Sequence, residues 1–521
     1  MTRHGCPRVL VVALGEATLD LIVPWANEGK LPTFKRLMQE GSWGPLASEI
    51  PLITPQLWGT IVTGHGAGRH GAFDFLQRGP DGRFREINGS WLKEPPIWRL
   101  LSDRGLRCGI VNVPFTYPPQ RISGFMVSGQ DAPGAHRSIA QPPSLYDELV
   151  RRFRRYRLKD IFPGGRRKEA YLTLIEEDVR KQTDVLEHLL SAKPWDFFMT
   201  FFSATAMAQH YFWGDMEARD AANPFRGIVE ATYCSLDAAL ARLLRAAGSE
   251  ATVFVISECG AGSLRSGVSI NAWLAQEGFL TWKKPQGSIQ PPTAATNGAA
   301  PASRRSALTG LLAWAKQGLP PSIRFLANRH LGVVKTRMEM RQWNARVDWS
   351  ATRAFSLGKE GDIFISLTGR DPHGLVAPGV EYEAVRSRII ERLQRLVDPQ
   401  TGRPAVERVY RAEELYDGPL RAWAPDLVVA WRNTEYMPTE DDGDGVTVFV
   451  PRQRQYMAWP TTGSHRLDGM LFVAGPGIRR GQRVEGSIRD LLPTWLDLFG
   501  QPSPSGIAGR VLHELRDGGR A

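Results

Sequence analysis

Short apolar runs alternate with longer amphipathic stretches along the chain. The runs are rich in Val, Ile and Phe and fall at 8–14, 108–113, 196–202, 252–257, 426–431 and 470–475. Near-continuous apolar runs of this length are typical of parallel strands that helices cover on both faces. Several runs end in turns with polar residues or glycine. In a doubly wound sheet, ligands bind at the turns that follow the carboxyl ends of the strands. The pattern therefore predicts an α/β fold with a functional site at that edge.

Composition and charge are those of a globular protein. The chain has 521 residues, of which 42% are hydrophobic and 23% charged, enough for a large core. A net charge of +11 favours anionic ligands, although bulk charge governs association and not fold. The densest basic run, 151–168, predicts either a solvated face or an anion-attracting surface. No nucleic-acid-binding motif accompanies it, so we predict no nucleic-acid partner.

Cysteine usage and the N-terminal sequence bear on the compartment. The chain has four cysteines, Cys6, Cys108, Cys234 and Cys259, which form no CxxC pair and signal neither a disulfide framework nor a zinc knuckle. The first apolar run is too short for a signal peptide, and no window has the length of a membrane span. We therefore predict a cytoplasmic protein without a membrane span, and leave the oligomeric state open.

Candidate chemistry is concentrated in five short segments near predicted strand ends. Thr54 precedes Pro55 at the start of a predicted helix, where a hydroxyl serves as an N-cap or as a nucleophile at the positive end of the helix dipole. The other four segments are GEATLD at 15–20, SATAMAQHYFW at 203–213, SECGAG at 257–262 and TTGSHRLDGM at 461–470.

In order and spacing these segments resemble the alkaline phosphatase superfamily, closest to its bacterial type I phosphodiesterase/nucleotide pyrophosphatase branch. The resemblance spans nearly the whole chain and includes GKLPTFKRLMQEGSWGPL at 29–46, RVDWSATRAFSLG at 346–358, Gly369 with Arg370, APDLVV at 424–429 and the segment 491–512. It implies a mainly parallel central sheet flanked by helices, a two-zinc centre at the strand ends, and in-line attack on phosphorus by Thr or Ser. Two ions about 4 Å apart would activate the nucleophile and neutralise the leaving oxygen.

Three residues match the functional positions that the resemblance implies. Thr54 matches the nucleophile, His210 matches the histidine of the Asp-x-x-x-His element, and His465 matches the late histidine of the Gly-x-His element. A purely structural role is the alternative for His210, as a core or surface histidine beside the aromatic residues 211–213.

The remaining ligand positions depart from the pattern. Gly15 replaces an aspartate, with Glu16 in the adjacent glycine position, and Ala206 replaces the Asp of Asp-x-x-x-His. Glu258 and Cys259 replace an Asp-His pair. An ordinary two-zinc site is therefore not expected, and Ala206 in particular leaves too few ligands for tight zinc binding.

The replacements favour a repurposed site, because Glu16, Glu258 and Cys259 retain acid, ligand or nucleophile capability, although Cys259 also suits a buried apolar position. Our leading hypothesis is a hydrolase or group-transfer enzyme for a phosphate ester or (thio)ester. Thr54 or Cys259 is the predicted nucleophile, and His210 or His465 is the base. If the base pairs with Cys259, Glu258 orients the imidazole.

Two alternatives stay open: a catalytically inactive binding protein of the same fold, and a metal-dependent phosphodiesterase with substitute ligands. Those ligands would be drawn from Glu16, His210, Glu258, Cys259 and His465. We expect no cofactor beyond, at most, one divalent zinc or manganese ion. The predicted partner is a small-molecule or carrier-bound anionic substrate, and turnover of simple phosphate esters is expected to be weak or absent.

The domain organisation follows from a change in composition. Residues 283–305 are rich in Pro, Ala, Gly, Ser and Thr without periodicity, which predicts a linker. We assign 1–282 and 345–515 to the alkaline-phosphatase-like core. A helical basic cap insertion is predicted at 135–192, and the linker with a second insertion at 283–344.

Overall fold

The computed structural model describes residues 7–79, 81–129, 131–153, 168–283, 338, 340–357, 360–439, 447–450 and 461–516. Most of the basic run and nearly all of the predicted segment 283–344 lie outside these ranges.

The described strands are β1 Arg8–Leu14, β2 Ser42–Ala47, β3 Leu76–Arg78, β4 Phe84–Glu86, β5 Cys108–Val111, β6 Gly124–Val127, β7 Ala140–Gln141, β8 Phe197–Phe202, β9 Ala251–Ile256, β10 Gly260–Ser263, β11 Ser266–Val268, β12 Ala354–Phe355, β13 Asp362–Ile365, β14 Val406–Arg411, β15 Leu427–Trp431, β16 Tyr436–Pro438, β17 Phe449–Val450, β18 Gly463–Arg466, β19 Asp468–Ala474, β20 Gln482–Arg483 and β21 Gly486–Ser487. The helices used below are α1 Leu19–Asn27, α2 Pro32–Glu40, α3 Thr54–Thr63, α4 Ala67–His70, α5 Ile97–Ser102, α6 Pro143–Phe153, α7 Glu169–Ala192, α8 Ala204–Glu217, α9 Ile228–Ala247, α10 Ile270–Gln276, α11 Val380–Leu393, α12 Ala412–Leu415 and α13 Leu491–Leu498.

A mainly parallel central sheet forms the middle layer. Its strand order is β20-β2-β19-β9-β1-β8-β5-β6-β7, with β21 also paired to β2. β1 is parallel to both β8 and β9, and β5 is parallel to β8. The predicted α/β fold is therefore confirmed.

Helices cover both faces of this sheet, and β1 shows why its sequence is apolar throughout. Leu10 and Val12 belong to one buried cluster, which includes residues of α1, α2, α7, α8 and α9. Val9 and Val11 belong to the opposite cluster, with residues of α3, α5 and α13. A strand buried on both faces has no polar side, which is why its hydrophobic pattern is continuous.

Two of the predicted parallel strands are antiparallel, and here the prediction was wrong. β19 runs antiparallel to β9 and β2 within the central sheet. β15 lies in a separate four-stranded sheet of order β12-β13-β15-β14, antiparallel to its neighbours. Burial on both faces produces the same apolar run whatever the strand direction, so the pattern alone does not distinguish the two.

The four-stranded sheet belongs to a smaller lobe. Together with α10 and α11 it surrounds a third apolar cluster, which includes Trp273, Phe355 and Leu427. α7, from the predicted cap, packs on α9 and shares the cluster of the central sheet. Among the described residues, no helix combines the length and apolar character needed to cross a bilayer.

Candidate functional site

One edge of the central sheet collects the segments that the sequence singled out. β1, β8 and β9 end there side by side, since Leu14 pairs with Phe202 and Ala13 with Ile256. β19 runs the other way, so its first residue Asp468 lies opposite Ala47, the last residue of β2. Glu16, Glu258, Cys259, His210 and His465, together with the segment leading to Thr54, are thereby brought to the same edge.

The turn after β1 places Glu16 in an unusual backbone conformation. Glu16 has φ of 57°, a left-handed conformation that costs a non-glycine residue roughly 1–2 kcal/mol. Side chains from neighbouring elements hold the turn. Thr205 Oγ1 donates to the carbonyl of Gly15 at 2.6 Å, and Gln209 Nε2 donates to that of Glu16 at 3.0 Å. These bonds direct the Glu16 side chain toward the two histidines.

The carboxylate of Glu16 contacts both imidazoles. Its Oε1 atom lies 3.1 Å from His210 Nε2 and 3.3 Å from His465 Nε2. The two rings are edge to face with centroids 5.3 Å apart. Burial raises the pKa of the Glu16 carboxyl, but the two imidazoles outweigh burial and hold that pKa well below its usual range.

His210 and His465 come from elements that pack closely. His210 lies on α8, and its Nδ1 is 3.2 Å from the carbonyl oxygen of Gly463 in β18. Gly463 permits this approach, because a Cβ there would lie 2.3 Å from the carbonyl oxygen of Gln209. His465 follows two residues later in β18. Burial lowers the pKa of His465, but Glu16, Glu360 and Glu258 outweigh it and raise the pKa to about 9.

Glu258 and Cys259 follow β9 and are both buried. Burial and the neighbouring Glu16 carboxylate raise the pKa of Glu258 to about 7, and no described residue forms a hydrogen bond with its buried Oε2 atom. Burial, followed by Glu258, Glu16 and Glu360, raises the pKa of the Cys259 thiol well above its usual value. Among the described contacts, no hydrogen bond joins Cys259 to either imidazole. This environment disfavours the thiolate.

Thr54 is the first residue of α3 and is partly exposed. The N-cap of that helix is Ile53, and no side-chain hydrogen bond caps it. The alternative role of Thr54 as an N-cap is therefore not realised. β2 leads to this position from the same edge of the sheet, since Ser48 N donates to the carbonyl of Leu467 at 2.9 Å, two residues after His465.

The ring of Phe201 lies beside Gly15, one of the two positions where the family pattern has an aspartate. A Cβ on Gly15 would lie 2.9 Å from Cζ of Phe201 and 3.4 Å from the Cβ of Ala206. The Phe201 ring is buried and packs edge-on against Trp58, with centroids 5.4 Å apart. Side-chain amides of Asn112 and Gln182 donate to the carbonyl of Phe201 at 3.1 and 2.6 Å, which fixes this end of β8.

The donor atoms that converge here fit one metal ion. Glu16, His210 and His465 bring three donor atoms within 4.8 Å of one another, the only such group among the described residues. Two oxygen or nitrogen donors about 2.0–2.1 Å from a tetrahedral ion are roughly 3.3 Å apart, close to the separations of Glu16 Oε1 from the two Nε2 atoms. Gly15 and Ala206 offer no ligand, and the Phe201 ring lies beside Gly15, so these two positions contribute no donor to a second ion.

Three acidic residues beside the site were missed by the sequence reasoning. Glu360 Oε1 lies 3.8 Å from His465 Nδ1. Burial, followed by the nearby carboxyl groups of Asp74 and Glu360, raises the pKa of Asp362 well above its usual value. Glu360 stands two residues after the matched segment 346–358, and Asp74 lies within the Thr54 segment. Nothing in their spacing distinguishes them from surface acids. Phe201 likewise reads as an ordinary core residue.

Comparison with known proteins places this arrangement in a family. The family described as type I phosphodiesterase / nucleotide pyrophosphatase matches residues 9–459. The chain belongs to this family. No curated protein sequence matches the chain. The resemblance stated from the sequence motifs is thus confirmed at family level.

Solved structures similar to this phosphodiesterase-family chain have low sequence identity to it. Phosphonoacetate hydrolase from Sinorhizobium meliloti in complex with phosphonoformate matches with a TM-score of 0.55 and 14% identity, covering 95% of this chain and 96% of the hydrolase. Murine ectonucleotide pyrophosphatase/phosphodiesterase 5 matches with a TM-score of 0.49 and 12% identity, covering 95% of this chain and 96% of the other. The match to the hydrolase indicates a shared fold, and identity this low carries no substrate across.

Proposed function

We propose that this phosphodiesterase-family protein is a hydrolase or group-transfer enzyme for a small or carrier-bound phosphate ester, with Thr54 as nucleophile. The observation that supports this proposal is the convergence of Glu16, His210 and His465 at the sheet edge that also leads to Thr54. Cys259 is the weaker candidate for the nucleophile, because burial and three nearby carboxylates oppose its ionisation.

In the proposed first step, a bond forms between Thr54 Oγ1 and phosphorus while the bond from phosphorus to the leaving oxygen breaks. Glu258, with a pKa of about 7, takes the Thr54 proton when ionised, since a base is most effective when its pKa is near the working pH. The leaving oxygen takes its proton from water, because the His465 imidazole is one of the donors that would hold a divalent ion. Water or an acceptor hydroxyl then releases the phosphoryl group from Thr54.

Glu16, His210 and His465 are the residues that would hold a divalent ion. When bound, that ion would supply Lewis-acid polarisation of a phosphoryl oxygen. Gly15 and Ala206 supply no carboxylate for a second ion, and a site with one ion would have less of the positive charge on which phosphoryl transfer depends. We therefore expect slow turnover of simple esters.

A substrate screen tests the proposal. Aryl phosphates, phosphodiesters and dinucleotides would be assayed with zinc, manganese or magnesium added. We expect ion-dependent turnover below about 1 per second, the lower end of usual enzyme rates. Thr54→Ala should abolish the turnover, while Thr54→Ser, which keeps the hydroxyl, should retain part of it.

Two results would overturn the proposal. Full activity of Thr54→Ala would reject Thr54 as nucleophile and return attention to Cys259. Absence of turnover with every ion, combined with tight binding of a phosphate ester, would support a catalytically inactive binding protein. The Phe201 packing at the missing ligand positions is the observation that favours this alternative.

A further inference from the structure

Glu360 reaches the candidate ion site from the smaller lobe. It lies between β12 and β13 of the four-stranded sheet, whereas Glu16, His210 and His465 come from segments at the edge of the central sheet. Its side chain is 17% exposed and that of His465 is 16% exposed, so both groups meet in a largely desolvated space.

The Nδ1 atom of His465 needs a partner that Glu360 is placed to supply. This nitrogen is buried and has no hydrogen-bond partner among the described residues, while the opposite ring nitrogen, Nε2, faces Glu16. Glu360 Oε1 lies 3.8 Å from Nδ1. A movement of about 1 Å would bring the two atoms to the usual N–H···O distance. The gap is too small for an intervening water.

His210 already has the equivalent arrangement. Its Nε2 faces Glu16 and its Nδ1 lies 3.2 Å from the carbonyl oxygen of Gly463. Metal-binding histidines almost always donate the second ring N–H to a carbonyl or carboxylate, which fixes the tautomer and turns the other nitrogen's lone pair toward the ion. Gly463 meets this requirement for His210, and Glu360 is the corresponding group for His465.

We propose that Glu360 is a positioning residue for His465. Its carboxylate accepts a hydrogen bond from Nδ1–H and thereby orients Nε2 to bind a divalent ion together with Glu16 and His210. This inference rests on the ion site of the proposed function. Because Glu360 belongs to the smaller lobe, ion binding also depends on how that lobe is seated against the central sheet.

Binding of zinc alone to the full chain, measured by calorimetry, tests the role without any substrate. We expect Glu360→Ala to weaken zinc affinity by about 10–100-fold, the usual effect of losing such a partner. Glu360→Gln keeps an acceptor oxygen and should weaken affinity less. Glu381→Gln is the matched control, since Glu381 lies in the same lobe, at the start of α11, and pairs with Arg353. It should bind zinc as the wild type does.

The outcomes separate this inference from the proposed function. Zinc binding by the wild type with unchanged affinity in Glu360→Ala would overturn the role of Glu360 and leave the ion site intact. No zinc binding by the wild type would overturn both. If Glu360→Ala does not fold, the zinc affinity of Glu360→Gln tests the role of Glu360. The melting temperatures of the metal-free variants show whether a loss of zinc affinity results only from a loss of stability.

Discussion

At the residue scale, Glu16 changes the meaning of the missing ligands. From the sequence, Ala206 is expected to leave too few ligands for an ion at His210 and His465. In the structure, the Glu16 carboxylate lies within 3.3 Å of both imidazole Nε2 atoms and provides the third donor. A carboxylate lost on α8 is thus compensated from the turn after β1, where the side chain reaches the same point from another direction.

The reactivity of Cys259 is a residue-scale prediction. Since burial and three carboxylates raise the pKa of its thiol, we expect iodoacetamide at neutral pH to modify the half-buried Cys234 well before Cys259. Peptide mass spectrometry of the native protein over time measures this order. Buried Cys108, whose pKa burial raises to about 12, is the control for an inert thiol. Modification of Cys259 as rapid as that of Cys234 would restore its candidacy as nucleophile.

At the element scale, the site depends on loops that side chains from neighbouring elements hold in place. Thr205 and Gln209 of α8 fix the turn that carries Glu16, and Ser257 Oγ donates to the carbonyl of Ala17 at 2.7 Å. β10, which begins directly after Cys259, pairs with β18, so Ala261 lies opposite His465. Hydrogen bonds within the protein therefore join the strand ends that form the site.

Asp131 provides an element-scale prediction about pH. It follows β6 and accepts a hydrogen bond from Tyr117 N at 2.7 Å, while its buried Oδ1 has no hydrogen-bond partner in the part of the chain that the structure describes. Burial raises the pKa of Asp131 to about 6, above its value of about 3.9 in an unfolded chain. The Asp131 carboxyl therefore ionises less readily in the folded protein than in the unfolded chain. Its ionisation lowers the free energy of unfolding by an amount that is near zero below about pH 4 and reaches its full value above about pH 6.

Replacing this carboxyl should remove that cost. We expect Asp131→Asn to gain about 1–3 kcal/mol in free energy of unfolding relative to wild type at pH 8, and little at pH 4. Urea unfolding at both pH values measures the difference. The exposed Asp103→Asn is the control. A difference between Asp131→Asn and wild type that does not change with pH would contradict the assignment.

At the scale of the whole molecule, the structure predicts the number of bound ions. We expect one equivalent of zinc per chain after dialysis, because three donors converge at one point, whereas Gly15 and Ala206 supply no ligand and the Phe201 ring lies beside Gly15. Elemental analysis measures the ratio. Glu16→Gln should lower zinc retention, whereas the exposed Glu40→Gln should not. Two equivalents in the wild type would show that Glu258 and Cys259 complete a second site.

The sequence by itself determined the family, the α/β class and the residue types at the site. Continuous apolar runs identify buried strands, and motif order identifies the family, because both are properties of consecutive residues. The same reasoning predicts functional positions for Thr54, His210 and His465. It did not resolve the direction of β15 and β19, since strands buried on both faces look alike whichever way they run.

Only the tertiary structure decided what the substitutions mean. Glu16 contacts His210, which is 194 positions later in the chain, and His465, which is 449 positions later. Glu360 approaches His465 from the segment between β12 and β13, which belong to a different sheet. The ring of Phe201 lies beside Gly15 only because β1 and β8 are neighbours. Electrostatic coupling and steric exclusion depend on distances of a few ångströms in space, and the spacing of residues along the chain does not specify them.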